Sequence, residues 1–148
     1  MKKSERIKKL ADLEAIQGAE IESRLQRAQR NYLEACRKLK QLETYRLEYA
    51  DQFHATRQEG MSANRLADFS RFVQQLDQAL DSQRESVEQQ RFRLDQVRAA
   101  WQKNYQKIDG LNRVSASAKK AEQKVESKRA YRQLEDRFAL LDPQPLAF

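Results

Sequence analysis

The stretch 69–111, FSRFVQQLDQALDSQRESVEQQRFRLDQVRAAWQKNYQKIDGL, carries a seam that steps by four and three residues in strict alternation: Phe69, Val73, Leu76, Leu80, Gln83, Val87, Gln90, Leu94, Val97, Trp101, Asn104, Ile108 and Leu111. Ten of the thirteen positions are apolar, and 42 residues in 12 steps give a mean spacing of 3.5. That is half a heptad, the repeat of a helix lying along a second helix in a left-handed coiled coil.

The chain supplies a partner of its own. Ile21, Leu25, Ala28, Tyr32, Ala35, Leu39, Leu42, Arg46, Tyr49 and Phe53 show the same alternation, with Arg46 the one charged member. Between the seams lies Arg57-Gln58-Glu59-Gly60-Met61-Ser62-Ala63-Asn64, where Gly60 can take a left-handed conformation and Ser62 or Asn64 can cap a new helix. A fold at this point makes the seams antiparallel. Phe53 then meets Phe69, Leu42 meets Leu80, Leu25 meets Val97 and Ile21 meets Trp101, each pair of residue numbers adding to 122. The same register sets Gly18 opposite Asn104, where a missing side chain would leave room for the indole of Trp101. Gln83, Gln90 and Asn104 interrupt the seam and read as devices that fix alignment.

Composition agrees with an all-α fold of two long helices forming an antiparallel coiled-coil hairpin with a C-terminal helical overhang. Of 148 residues, 34% are charged and 39% hydrophobic, with Gly 3 and Pro 2, too few apolar residues for a compact globule of this length but enough for two stripes. The expected organisation is a single elongated domain over 1–148, with helix 1 about 3–57, a hinge about 58–63, helix 2 about 64–141 and a disordered tail 142–148. Its paired part, roughly 55 residues, would span about 80 Å. No stretch reads as a membrane span or a secretory signal, so a cytoplasmic protein is expected.

Catalytic and metal chemistry find little to stand on. Cys36 and His54 are each the only residue of their kind, so neither ligand spacing nor a nucleophile–base pair can be assembled. No Gly-rich phosphate loop or nucleophile elbow is present. The reading is a non-enzyme without cofactor or metal.

Charge is placed unevenly along the chain. The net +7 divides into +4 over residues 1–9, −2 over 10–97 and +6 over 98–138, with Asp142 completing the sum. In an antiparallel fold both basic segments share the open end. There the second helix outruns the first: in the 122 register Lys2 faces Lys120, and about twenty residues beyond it lack a partner. Past that point a new ridge, Tyr131, Leu134, Phe138 and Leu141, steps by 3, 4 and 3. Such a short helix is marginal alone in water, so the ridge should bind a partner or fold back. Nearer the hinge, Leu42, Tyr45 and Tyr49 with Phe72, Leu76 and Ala79 form stripes shifted to one side of the seam, wider than a two-helix contact needs.

These residues resemble a family. The run Leu42-Glu43-Thr44-Tyr45-Arg46-Leu47-Glu48-Tyr49, then Ser62-Ala63-Asn64-Arg65 followed by Phe72, Leu76 and Ala79, then the Trp101 segment and a charged end, is similar to the FliJ family of flagellar export proteins. The resemblance implies a soluble, non-enzymatic component of the bacterial flagellar type III export apparatus, built like the stalk subunit of rotary ATPases. It implies three partners: the hexameric, FliI-like export ATPase, the cytoplasmic domain of the export gate protein FlhA, and export chaperones. Membrane association, at the inner membrane of the flagellar base, would then come only through those partners. The family's gate-contact surface falls on Leu42, Tyr45, Tyr49, Phe72, Leu76 and Ala79. A stalk-like role would set the basic open end against the ATPase ring, with Tyr131, Leu134 and Phe138 as its anchors.

Two other readings compete. A pI near 9.6 and a basic end would attract nucleic acid, but acids such as Glu122 and Glu126 are interleaved and no groove-reading motif is present, so no nucleic-acid partner is expected. The equivalent stalk of a virulence type III secretion system would share the hairpin and much of the role.

Overall fold

In a computed structural model of the protein, residues 1–141 are described and form two helices, α1 (Lys3–Glu59) and α2 (Ala63–Leu141), with no strand among the described residues. The segment 142–148, expected to be a disordered tail, lies outside the described residues. The two helices pack antiparallel as an all-α helical hairpin, as the pairing of Phe53 with Phe69 and of Ala35 with Gln83 requires.

The turn is three residues long. Gly60 has φ 100°, a left-handed backbone that a side chain disfavours, and its N–H donates to the Arg57 carbonyl at 3.2 Å. Ser62 then caps α2: its hydroxyl accepts from the Arg65 N–H at 3.3 Å, and its carbonyl accepts from the Leu66 N–H at 3.0 Å. Gln58 and Glu59, read from the sequence as hinge, continue α1 because nothing before Gly60 disfavours helix.

The packed chain forms two compact units. The first, Ala19–Gln102, contains most of both seams. Every seam residue of α1 from Ile21 to Phe53 is buried or half-buried, and so is every seam residue of α2 from Phe69 to Val97. Trp101 departs from this pattern at 38% exposure, because one facing helix cannot cover an indole from both sides. The buried seam residues of α1 here are Ala28 and Ala35, against Leu76, Leu80 and Leu94 on α2, so small residues face large ones. Small residues bring the backbones close enough for Gln83 Nε2 to donate to the Ala35 carbonyl at 2.9 Å. Arg46, the charged seam position, is satisfied by Asp77, with Nε to Oδ1 at 2.9 Å.

The second unit joins Met1–Gly18 to the chain from Lys103. The α1 seam continues through Ser4, Ile7, Ala11, Glu14 and Gly18, and the α2 seam through Asn104, Ile108, Leu111, Ser115, Ala118 and Glu122. Again the fully buried α1 residues, Ser4 and Ala11, are small. Asn104 Nδ2 donates to the Glu14 carbonyl at 3.1 Å, and Ser115 Oγ donates to the Ser4 carbonyl at 2.9 Å. Glu14, a carboxylate in the seam, is held by Lys107 at 2.8 Å. Among the described residues, no buried side-chain polar atom lacks a hydrogen-bond partner.

Gly18 occupies the predicted place opposite Asn104, but the group it accommodates is the Asn104 carboxamide and not the Trp101 indole. A Cβ there would lie 2.5 Å from Asn104 Oδ1 and 3.8 Å from Ile108 Cδ1, whereas a Cβ at Gly110 would meet nothing within 4 Å. Alanine normally stabilises a helix interior by about 1 kcal/mol over glycine. Gly110→Ala should therefore raise the unfolding free energy measured by urea titration by about 1 kcal/mol. Gly18→Ala should give no gain in the native background, because the amide that donates to Glu14 must move, and should recover a gain of about 1 kcal/mol when combined with Asn104→Ala.

Candidate interaction surfaces

In the first unit, α1 and α2 bring five aromatic rings together near the turn. Tyr49 stacks tilted on Phe72 at 4.4 Å and on Phe69 at 5.1 Å, Tyr45 meets Phe72 edge-on at 6.2 Å, and Phe53 meets Phe69 at 5.2 Å. Such pairs contribute about 0.5–1.5 kcal/mol beyond area burial. Burial raises the Tyr49 phenol above its ordinary value of 10.0, with the Tyr45 and Asp68 charges adding to it, so the ring acts as a neutral packing group.

The six residues of the side stripe do not share one depth. Leu76 is 6% exposed and belongs to the core, Leu42, Tyr49 and Phe72 are half-buried, and Tyr45, at 47%, and Ala79 are open. Tyr45 is therefore the large apolar group of the stripe that a partner could reach, with Tyr49 and Phe72 setting its angle from below. Beside it a shallow hollow is lined by Arg37, Lys40, Gln41, Thr44 and Glu48. Sequence reading assigned the stripe without Phe53 and Phe69, although both were in the seam and their pairing followed from the register.

In the second unit, α1 begins against α2 and is clasped there. Ser4 donates to Glu122 twice, from its hydroxyl at 2.6 Å and from its backbone N–H at 3.1 Å, and Lys2 Nζ meets Glu126 at 2.6 Å. Glu122, a charged residue on the α2 seam, is a capping carboxylate, supplied by α2, for a free N–H in the first turn of α1. The Ser4 hydroxyl and the Ser4 N–H hold its acid strength above that of an ordinary carboxyl, below the usual value of 4.5. The Lys2 ammonium is raised from 10.5 by its hydrogen bond and charge pairing with Glu126.

The clasp also moves the end of pairing. Lys2, placed opposite Lys120 by the register, reaches about one and two-thirds turns further to Glu126, and α2 is unpartnered beyond it. Residues 127–141 are all exposed, a run of about 22 Å at 1.5 Å per residue. On it Tyr131, Leu134 and Phe138 are 65%, 52% and 69% exposed. At 100° per residue from Glu122 they lie roughly half a turn from the seam, so an extension of the same two-helix seam would not cover them.

Cys36 is a free, half-buried thiol, and its hydrogen bond holds the Tyr32 phenol above its ordinary value. The His54 ring lies against Phe53 at 6.0 Å. Among the described residues no three of His, Cys, Asp and Glu come together in a group that would hold a metal ion. No described helix is long and apolar enough to cross a membrane.

The fold and its surfaces define a helical-hairpin protein that presents exposed aromatic groups on two units. Over residues 2–141 the chain matches the family model described as Flagellar FliJ protein, and it belongs to that family. It is thus a protein associated with flagellar type III export, from a family of components that are in general not enzymes. Comparison with curated proteins and with solved structures gave no match.

The clasp carries a pH dependence whose sign follows from the lowered acidity constant. Its contribution is complete above the ordinary carboxyl value of 4.5 and is lost as pH falls through the depressed folded value. A carbon NMR titration should place the Glu122 midpoint below 4.5 and move it up toward that value in Ser4→Ala. A midpoint indifferent to Ser4 would show that the clasp does not form.

Proposed function

We propose that this chain is a stalk-like coupler between the hexameric export ATPase and the cytoplasmic domain of the export gate protein FlhA, and that it also assists export chaperones. The observation that carries the reading is the exposed ridge on α2 after its partner helix has ended, with Tyr131 and Phe138 about two-thirds exposed. Rigid aromatic groups of this kind are the side chains on which protein interfaces concentrate their binding energy.

In this reading Tyr131, Leu134 and Phe138 engage the ATPase, and the gate is met by Tyr45, flanked by Leu42, Tyr49, Phe72 and Ala79. Leu76 supports that surface from the core and makes no contact of its own. Helix α2 bears Phe72 and Ala79 as well as the ATPase ridge. A helix transmits displacement along its axis through its hydrogen-bond ladder, so a change of nucleotide state in the ring can bias contact with the gate without the chain binding nucleotide.

The reading separates two variants. Tyr45→Ala should weaken binding to the gate domain about tenfold or more while helicity and ATPase association persist. Tyr131→Ala with Phe138→Ala should reverse the pattern, losing the ATPase and keeping the gate. Unchanged affinity for both partners in both variants, measured by calorimetry with each purified partner, would contradict the assignment.

A further inference from the structure

The ridge at the unpaired end of α2 is the apolar half of a longer line. Counted back from Leu141, Phe138, Leu134 and Tyr131, the steps of three and four continue without a break through Ser127 and Lys124 to Lys120, 21 residues in 6 steps or 3.5 per step. Every side chain on it is exposed. At 100° per residue, Lys120, Lys124 and Ser127 lie roughly 140–200° from Glu122, on the side of α2 opposite its seam with α1 and in line with Tyr131 and Phe138. Toward the turn the line ends in Ser117 and in Arg113, whose charge Asp109 takes up at 3.1 Å. Lys120 and Lys124 have no carboxylate within ion-pair distance among the described residues, because the acids nearest them are held by α1, Glu122 by Ser4 and Glu126 by Lys2. Ala121, Gln123 and Lys128 flank this cationic half. The one carboxylate flanking the line among the described residues, Glu135, stands in its apolar half.

We propose that this line is a second coiled-coil seam, and that its occupant is a helix of a partner protein with carboxylates opposite Lys120 and Lys124 and apolar side chains opposite Tyr131, Leu134 and Phe138. The spacing argues for a helix: a repeat of 3.5 keeps a narrow line facing a second helix over about 30 Å, which a flat surface does not require. The charge argues for carboxylates, since a lysine at a seam position loses water when covered and selects an acidic neighbour. It also argues against a second copy of this chain. Antiparallel self-pairing sets Lys120 against Leu141 and Lys124 against Phe138, and parallel self-pairing sets each lysine against its own copy. That the partner is the export ATPase rests on the reading above. The seam adds the chemistry and direction of the contact, with charge toward the paired part of the hairpin and apolar packing toward the end of α2.

The test uses the full chain and synthetic helical peptides of about three heptads, with leucine at the last four seam positions, serine before them and either glutamate or lysine at the first two. Each is also made in reversed order, so that both chain directions are presented. By fluorescence anisotropy, the glutamate peptide should bind about tenfold or more tightly than the lysine peptide in one direction, and Lys120→Glu with Lys124→Glu should reverse that preference. Arg27→Glu with Arg30→Glu, an equal change of net charge on the other unit, should leave it unaltered. Circular dichroism should find helicity kept in both variants, since all four positions are exposed. With the purified export ATPase, the Lys120 and Lys124 reversal should weaken association about tenfold or more and the α1 variant should not. Equal binding of the glutamate and lysine peptides, or the same loss in the α1 variant, would overturn the proposal. So would a dimer of the native chain, or its binding to anionic vesicles, that Tyr131→Ala with Phe138→Ala abolishes while the glutamate peptide stays unbound. A lysine-dependent preference for the glutamate peptide without ATPase binding would uphold the seam and refute the ATPase reading. ATPase binding that needs Tyr131 and Phe138 but ignores the lysine reversal would uphold that reading and overturn the acidic helix.

Discussion

The constraint that organises this protein is the close approach of the α1 backbone to α2. Wherever α1 is fully buried it presents a small residue, Ser4, Ala11, Ala28 or Ala35, and Gly18 stands in the same seam. A helical carbonyl already bonded along its own ladder keeps a second lone pair. Three polar residues of α2 use it: Gln83 on Ala35, Asn104 on Glu14 and Ser115 on Ser4. Apolar seams alone tolerate slippage by whole heptads, because Leu on Leu looks much the same one repeat away. A donor that must find a carbonyl beside a small residue does not tolerate it, and the register follows.

Much of this could be read from the order of residues. The alternation of four and three named the buried positions of the first unit, though not Ser4, Ala11 or Ser115 in the second, and Gly60 with Ser62 named the turn, because each rests on local rules of period, backbone freedom and capping. The antiparallel register followed since one sum of residue numbers satisfied every layer. Periodicity says which face a residue occupies but not how deep it lies. It therefore grouped Leu76 with Tyr45, although one is core and the other open to solvent. It also ended the pairing where Lys2 meets Lys120, because a seam pattern has no means of seeing the free N–H at Ser4 that Glu122 caps.

Function enters where the packing runs out. Tyr131, Leu134 and Phe138 stand on a length of α2 with no helix beside it, and Leu10, Leu13 and Ile16 stand on the outer side of α1. Both are costs to an isolated chain in water and become contacts once covered. Membership of the FliJ family gives them a setting in flagellar export. The proposed function assigns the aromatic anchors to protein partners, following the chemistry those side chains offer.

The central claim is the register, and disulfide trapping within one molecule tests it most directly. In a Cys36→Ser background, Leu25→Cys with Val97→Cys should close a monomeric disulfide under mild oxidation. Leu25→Cys with Val87→Cys, displaced by ten residues or about 15 Å along the helix, should not, because a bond cannot span Cα atoms more than ~7 Å apart. Closure of the displaced pair, or a bond from 25 to 97 that forms only between molecules, would contradict the account.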